Sequence, residues 1–233
     1  MNALPTLLVP GLIASARLYA HQIPELWRFG PVTVADHTRE DSIAAIAQSI
    51  LAAAPPRFAL AGLSMGGYVA FEIARQAPGR VAKLALLDTT ARPDTPEQAQ
   101  ARRDRIAAAR GGEFAAIPGL MFPMLVHAAR REDAGLKALV EEMAQDCGAQ
   151  AFIRQQTAIM ARPDSRPSLA AIACPALVLV GDGDELTPPA LAREMAEGIP
   201  AARLEIVPDC GHLSTLERPE YVTAKLVEWL ARG

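Results

Sequence analysis

Cysteine is scarce in this 233-residue chain, and the three present, Cys147, Cys174 and Cys210, are odd in number and lack metal-ligand spacing. That excludes a disulfide framework and a cysteine-built metal centre, and it suits reduced, buried thiols in the cytoplasm. Aromatic residues make up only 5% against 51% hydrophobic residues overall, so the core must be aliphatic, and it is large enough for one domain plus an inserted subdomain. Positive charge is neither abundant nor clustered: the net charge is −3 and the Lys and Arg residues are scattered, which leaves nucleic acid and anionic membrane surfaces without a footprint. No apolar run approaches the length of a membrane span. The amino terminus enters a strand pattern almost at once, leaving no space for a signal peptide. A small molecule is the expected partner, and nothing in the chain specifies an oligomeric state.

What is present is an alternation. Apolar runs near 6–9, 31–35, 57–61 and 82–87 are separated by amphipathic stretches at 41–54 and 65–77, and strand-then-helix resumes at 176–180, 188–198, 203–207 and 219–231. Such a series calls for a parallel sheet with helices on both faces. Between residues 90 and 165 the strands stop and helical stretches follow one another, at 97–110, around 119–129, at 132–145 and at 149–161.

The most informative segment is Gly62-Leu-Ser-Met-Gly-Gly67, placed between the apolar run ending at Ala61 and the helical run starting at Tyr68. A serine in a pinched strand-to-helix turn adopts a strained backbone that is tolerated only when its flanks carry almost no bulk, hence glycines two residues before and after. The turn lifts the Ser64 hydroxyl clear of the sheet, and the helix beneath offers free amides and a positive dipole end to a developing oxyanion.

A hydroxyl needs a base, and a histidine serves best when a carboxylate fixes its tautomer. His212, in Gly211-His-Leu-Ser-Thr-Leu-Glu217-Arg-Pro219, stands just past the strand at 203–207. In the loop after the strand at 176–180, Asp182, Asp184 and Glu185 are all candidates for the acid, and Asp88, ending the strand at 82–87, is a rival.

With these residues in place the chain resembles the α/β-hydrolase superfamily, in which nucleophile, acid and histidine follow in that order. The likeness runs from Leu7 to Trp229 and has some of the flavour of the 3-oxoadipate enol-lactonases. It implies an α/β-hydrolase core at 1–89 and 166–233 with a mostly parallel sheet of about six strands, the family's first two antiparallel strands being absent, and a helical cap at 90–165. The loop Gly181 to Pro188 fits the family's acid motif and selects Asp184 over Asp88. Backbone amides of Leu12 and Met65 would form the oxyanion hole, with Pro10 standing where relatives carry a histidine. Relatives more often have an Arg-Gly-His-Gly turn near His37, so the role of that loop is left open. No cofactor or metal is implied.

The implied activity is hydrolysis of carboxylic esters of small to medium acyl groups by Ser64, His212 and Asp184 through an acyl-enzyme. A serine at the elbow argues against the relatives that use aspartate there. Met121, Phe122, Met124, Leu125, Phe152 and Met160 offer an apolar, deformable cap wall, and His127 is the cap histidine placed to reach substrate. With no evident cluster of cations, that wall suits uncharged acyl groups. Two alternatives stand: an enol-lactone hydrolase of aromatic-compound catabolism, which needs a cationic anchor such as Arg110, Arg130, Arg154 or Arg162, and a receptor that keeps the fold and binds ligand without turnover.

Overall fold

A computed structural model describes residues 3–232. Six strands, β1 (Thr6–Val9), β2 (Val32–Val34), β3 (Phe58–Leu63), β4 (Val81–Leu87), β5 (Ala176–Gly181) and β6 (Ala202–Val207), form one sheet in the order β2-β1-β3-β4-β5-β6. Every pairing among them is parallel, so the expected mostly parallel sheet is wholly so. Around it lie α1 (Ile23–Leu26), α2 (Ile43–Ala53), α3 (Met65–Gln76), α4 (Pro96–Ala108), α5 (Ile117–Leu125), α6 (Ala134–Met160), α7 (Pro189–Gly198), α8 (Ser214–Glu217) and α9 (Pro219–Ala231).

Parallel strands joined by crossover helices are covered on both faces, and their side chains alternate between the two. Leu7 and Val9 of β1, Leu60 of β3 and Val178 and Val180 of β5 pack with Ile46 of α2, Phe71 of α3 and Met195 of α7. Their neighbours Leu8, Ala61, Leu177 and Leu179 face the other way, against Leu26 of α1 and Val222, Leu226 and Trp229 of α9. The near-continuous apolar runs of β3 and β5 therefore reflect double-sided burial.

Helices α4 to α6 occupy the stretch between β4 and β5. The two helical stretches expected at 132–145 and 149–161 form one element, α6, broken at Gly148, whose φ of 82° and ψ of 165° are not helical. The insertion shares its packing with the body of the protein. Phe122, Val140 and Met143 join the α9 side of the core, while Phe152, Ile117 and Ala144 pack on Ile13 from the loop after β1.

Strand order reverses at β1, whose neighbours are β2 on one side and β3 on the other. In an open parallel sheet the crevice beyond the carboxyl ends at such a reversal is where ligands bind. The loops after β1 and β3 meet there.

Candidate active site

Ser64 joins β3 to α3 with φ 55° and ψ −115°, a conformation strained for a residue with a Cβ. The surroundings enforce it. Its N–H donates to the Leu87 carbonyl at 2.9 Å, and its own carbonyl accepts from Thr89 Oγ1 at 2.8 Å and from the Gly67 N–H at 2.9 Å. The flanking glycines are steric necessities: a Cβ on Gly62 would lie 2.2 Å from the Gly66 carbonyl oxygen, and one on Gly66 would lie 2.0 Å from that of Val9.

His212 Nε2 lies 2.8 Å from Ser64 Oγ, and its Nδ1 lies 2.8 Å from Asp184 Oδ2. Because a carboxylate only accepts, Nδ1 carries the proton and Nε2 is the acceptor for the serine hydroxyl. His212 and Asp184 are each 3% exposed. Asp184 is held by its own loop: Oδ1 accepts the N–H groups of Leu186 and Thr187, each at 2.9 Å, and Oδ2 accepts Thr187 Oγ1–H at 2.7 Å. Burial alone would raise the Asp184 pKa, but the positive charge available on His212, its hydrogen bond and the Thr187 donors outweigh that, so the group sits below the ordinary carboxylate range. For His212, burial disfavours the cation, while Asp184, Asp88 and Glu217 favour it more strongly, so its pKa is raised above 6.5.

Asp88 lies nearby but makes different bonds. It accepts from Gly181 N–H at 3.1 Å and from Ser214 Oγ–H at 2.5 Å. Burial, reinforced by repulsion from Asp184, pushes its pKa well above the usual value. Of the four acidic candidates, Asp184 is the one bonded to His212. Asp182 instead accepts the Cys210 N–H at 3.1 Å, and Glu185 pairs with Arg131 at the surface.

The histidine loop is pinned by Glu217, which accepts the N–H groups of His127, Gly211 and Leu213 at 2.8, 2.9 and 3.3 Å. One buried carboxylate thus ties the segment after α5 to the loop carrying His212, which gives the Glu-Arg-Pro sequence its physical purpose. Cys210 packs within the core, with burial raising its pKa.

The loop after β1 carries Leu12. Gly11 O accepts from the buried His37 Nε2 at 2.8 Å, Ile13 adopts φ 46°, and the Ile13 N–H donates to Gln155 Oε1 at 2.9 Å. Among the described residues no protein group accepts the Leu12 or Met65 N–H, leaving both amides free beside Ser64. His37, whose loop the sequence left without a role, has its pKa lowered by burial and anchors this turn. Gln155 gave no signal in the sequence, because a glutamine on an amphipathic helix ordinarily faces solvent.

A cavity of about 370 Å3 opens over Ser64 and His212. Of the residues expected to line it, Met121, Met124 and Leu125 do. Phe122 and Phe152 do not: each fills the core, Phe152 against the Phe114 ring at 5.6 Å. Met160 also lies outside the lining, and His127 instead caps the turn after it, accepting the Ala129 N–H, with its ring against Gly183. The expectation of a wall without clustered cations is corrected as well, since Arg102, Arg105 and Arg162 all line the cavity. Among the described residues there is no group of three or more His, Cys, Asp or Glu placed to hold a metal ion, and no helix is long and apolar enough to cross a membrane.

A sequence model of the alpha/beta hydrolase family matches residues 6–225. A pimeloyl-[acyl-carrier protein] methyl ester esterase from Edwardsiella ictaluri is 30% identical over 235 residues, covering 95% of this chain and 86% of that protein. Among solved structures, a thermophilic esterase from Thermogutta terrifontis superposes with a TM-score of 0.88 at 33% identity, over 97% of this chain and 89% of the other. An enol-lactonase from Burkholderia xenovorans LB400 does so with a TM-score of 0.87 at 25% identity, over 100% and 93%.

Proposed function

Because the chain belongs to the alpha/beta hydrolase family, we propose that it is a serine hydrolase that cleaves carboxylic esters through an acyl-enzyme. The observation that carries this reading is the unbroken relay from Asp184 through His212 to Ser64, with 2.8 Å at each link, on the floor of a cavity. In this mechanism Ser64 Oγ attacks the ester carbonyl while Nε2 of His212 takes its proton. Asp184 holds the ring in the required tautomer and stabilises the imidazolium. The oxyanion is received by the amides of Leu12 and Met65, and the helix dipole of α3 favours the same charge. His212 then protonates the departing alcohol, water enters, and the same ring activates it to release the acid. No step calls for a cofactor or metal.

The helical stretch 90–165 acts as a cap, contributing Met121, Met124 and Leu125 to the acyl side of the cavity. A volume of about 370 Å3 fits small to medium acyl groups. Three unpaired cysteines support a cytoplasmic setting. An organophosphonate that labels the peptide carrying Ser64 and abolishes multiple turnover tests the reading. Labelling of a different serine, or stoichiometric binding without turnover, would replace it with another site or with the receptor alternative.

Enol-lactone hydrolysis is the second reading. It is favoured by the cationic residues now found on the cavity wall and by the likeness to the Burkholderia enol-lactonase. The same relay would open a lactone without change.

A further inference from the structure

Besides the apolar helix α5, the cavity wall draws on α4, and its lining residues follow the helix repeat: Gln98, Ala101, Arg102 and Arg105 fall at i, i+3, i+4 and i+7. Ala101 leaves room in the middle of this stripe, and both ends carry hydrogen-bond donors. The one carboxylate of this wall, Asp94, is already committed. Its side chain is 2% exposed and it receives Arg102 Nε at 2.6 Å on one oxygen and Arg162 Nη1 at 2.7 Å on the other. Two guanidiniums on one carboxylate leave one positive charge.

The two paired arginines are positioned beyond that. Arg162 also donates to the carbonyls of Arg92 and Ile159 and stacks over the Tyr68 ring at 4.2 Å, while Arg102 donates to Gln156 Oε1 at 2.8 Å. Arg92, the remaining arginine of the lining, is neutralised by Glu194 at 2.9 Å. Arg105 differs. It lines the cavity, is half-buried, and among the described residues has no ion-pair or side-chain hydrogen-bond partner. Burial and the neighbouring Arg102 both disfavour its charge and lower its pKa, outweighing the nearby Asp104, which is not bonded to it. A guanidinium stays protonated even so, and an uncompensated cation in a mostly apolar cavity is costly unless an anion arrives.

We infer that Arg105, backed by the Arg102–Asp94–Arg162 cluster, anchors a free carboxylate at the far end of the substrate from the scissile ester. The substrate class is then a monoester or lactone of a short dicarboxylic acid. The inference rests on the ester-hydrolase reading for the bond cleaved, but the anchor itself is a binding property. A planar carboxylate matches the guanidinium fork with two parallel hydrogen bonds. The arginines singled out from the sequence do not supply this group. Arg110 is exposed and outside the lining, Arg130 pairs with Asp133, Arg154 donates to the Thr38 carbonyl, and Arg162 is held by Asp94.

The test compares kcat/KM for monomethyl succinate, glutarate and adipate with that for methyl butyrate, valerate and hexanoate, in the native protein and in Arg105→Ala, Arg105→Lys and Arg103→Ala. Arg103 is exposed on the other side of α4 and serves as control. The anionic esters are expected to be preferred, chiefly through a lower KM. Their advantage over the neutral esters should shrink about 10- to 100-fold in Arg105→Ala, recover in part with Lys, and persist in Arg103→Ala. An unchanged ratio in Arg105→Ala, or a native preference for the neutral series, overturns the anchor and leaves ester hydrolysis standing. Calorimetric titration of Ser64→Ala with monomethyl glutarate separates the two ideas. Arg105-dependent binding without turnover of any ester by the native protein would sink the hydrolase reading while keeping the anchor. Stronger Arg105-dependent binding of inorganic phosphate than of glutarate would overturn the carboxylate assignment.

Discussion

Gln155 is where the proposed cap meets the loop that carries one amide of the proposed oxyanion hole. It lies on the second half of α6, fully buried, accepting the Ile13 N–H at 2.9 Å and donating to the His37 carbonyl at 3.3 Å. His37 in turn holds Gly11 O, so one amide fixes both sides of the turn that presents Leu12. Gln155→Leu keeps the volume and removes both bonds, stranding a buried N–H and a buried C=O. Each stranded group costs about 1–3 kcal/mol, the longer bond at the low end, so a stability loss of about 2–4 kcal/mol is expected. For a chain of this size that lowers Tm by several degrees without unfolding it at 25 °C. Loss of a full oxyanion donor costs about 100- to 1000-fold in kcat, and a donor merely released from its mount should cost part of that, about 10- to 100-fold, with KM little changed. The assay is steady-state hydrolysis of a short ester, paired with the inhibition constant of a boronic acid that mimics the tetrahedral oxyanion. Affinity for the mimic should weaken in step with kcat, while affinity for the product acid should not. Gln155→Glu, which can still accept from Ile13, should fall between native and Leu. If Gln155→Leu loses stability yet retains kcat and mimic affinity within twofold, the loop is positioned without Gln155 and the reasoning fails.

Other expectations follow from the same geometry. Ser64→Ala should lose about 10⁴-fold or more in kcat, read by stopped hydrolysis assays at high enzyme concentration. Asp184→Asn should cost about 10⁴-fold by presenting the wrong tautomer, whereas Asp88→Asn should remain within about tenfold of native; the opposite pattern would move the acid to β4. The profile of kcat/KM against pH should fall on the acid side, because the base must be neutral, with a midpoint above the ordinary histidine value of 6.5 since Asp184 favours the cation. Asp184→Asn should shift that midpoint down, and a midpoint unmoved in the variant would separate His212 from its carboxylate.

How much of this was legible beforehand depended on how local each signal is. The strand series and the elbow are written in contiguous residues, where apolar runs and glycines at fixed offsets suffice, and the six strands fall where the runs are. The pairing of His212 with Asp184 rather than Asp88 needed the family likeness, since two loops carry candidate carboxylates and chain distance does not rank them. The pocket wall was half legible. Met121 and Phe122 are adjacent on α5, and a helix that is apolar all round does not say which neighbour faces a cavity and which the core. The α4 stripe was readable as a repeat of 98, 101, 102 and 105. Its meaning depends on Asp94 being consumed by two partners, which only the folded chain brings together.

The two carboxylates beyond β4 and β5 show how environment divides roles between like groups. Both are buried within reach of the same loop cluster, yet their pKa values move in opposite directions. Asp184 receives two backbone N–H groups, a hydroxyl and an imidazole, all of which favour the anion. Asp88 receives two backbone N–H groups, from Gly181 and at 3.4 Å from Ser214, and one hydroxyl, but it is fully buried and faces Asp184, and these raise its pKa. A carboxyl group whose folded pKa is raised binds more protons in the native state than in the unfolded one. Its contribution to stability is therefore present at low pH and is lost as pH rises from the ordinary carboxylate range through the folded value. Asparagine carries no charge at any pH: its carbonyl can accept from the Gly181 N–H, and its amide can donate to Ser214 Oγ once that hydroxyl, which donates to Asp88 in the native protein, turns its proton away. Asp88→Asn should accordingly be at least as stable as native at pH 8 by urea denaturation, with the difference closing as pH falls below the unfolded aspartate value of 3.8, where Asp88 is protonated in both states. A loss of stability at pH 8 would mean that Asp88 works as an anion, and the division of labour between the two acids would have to be redrawn.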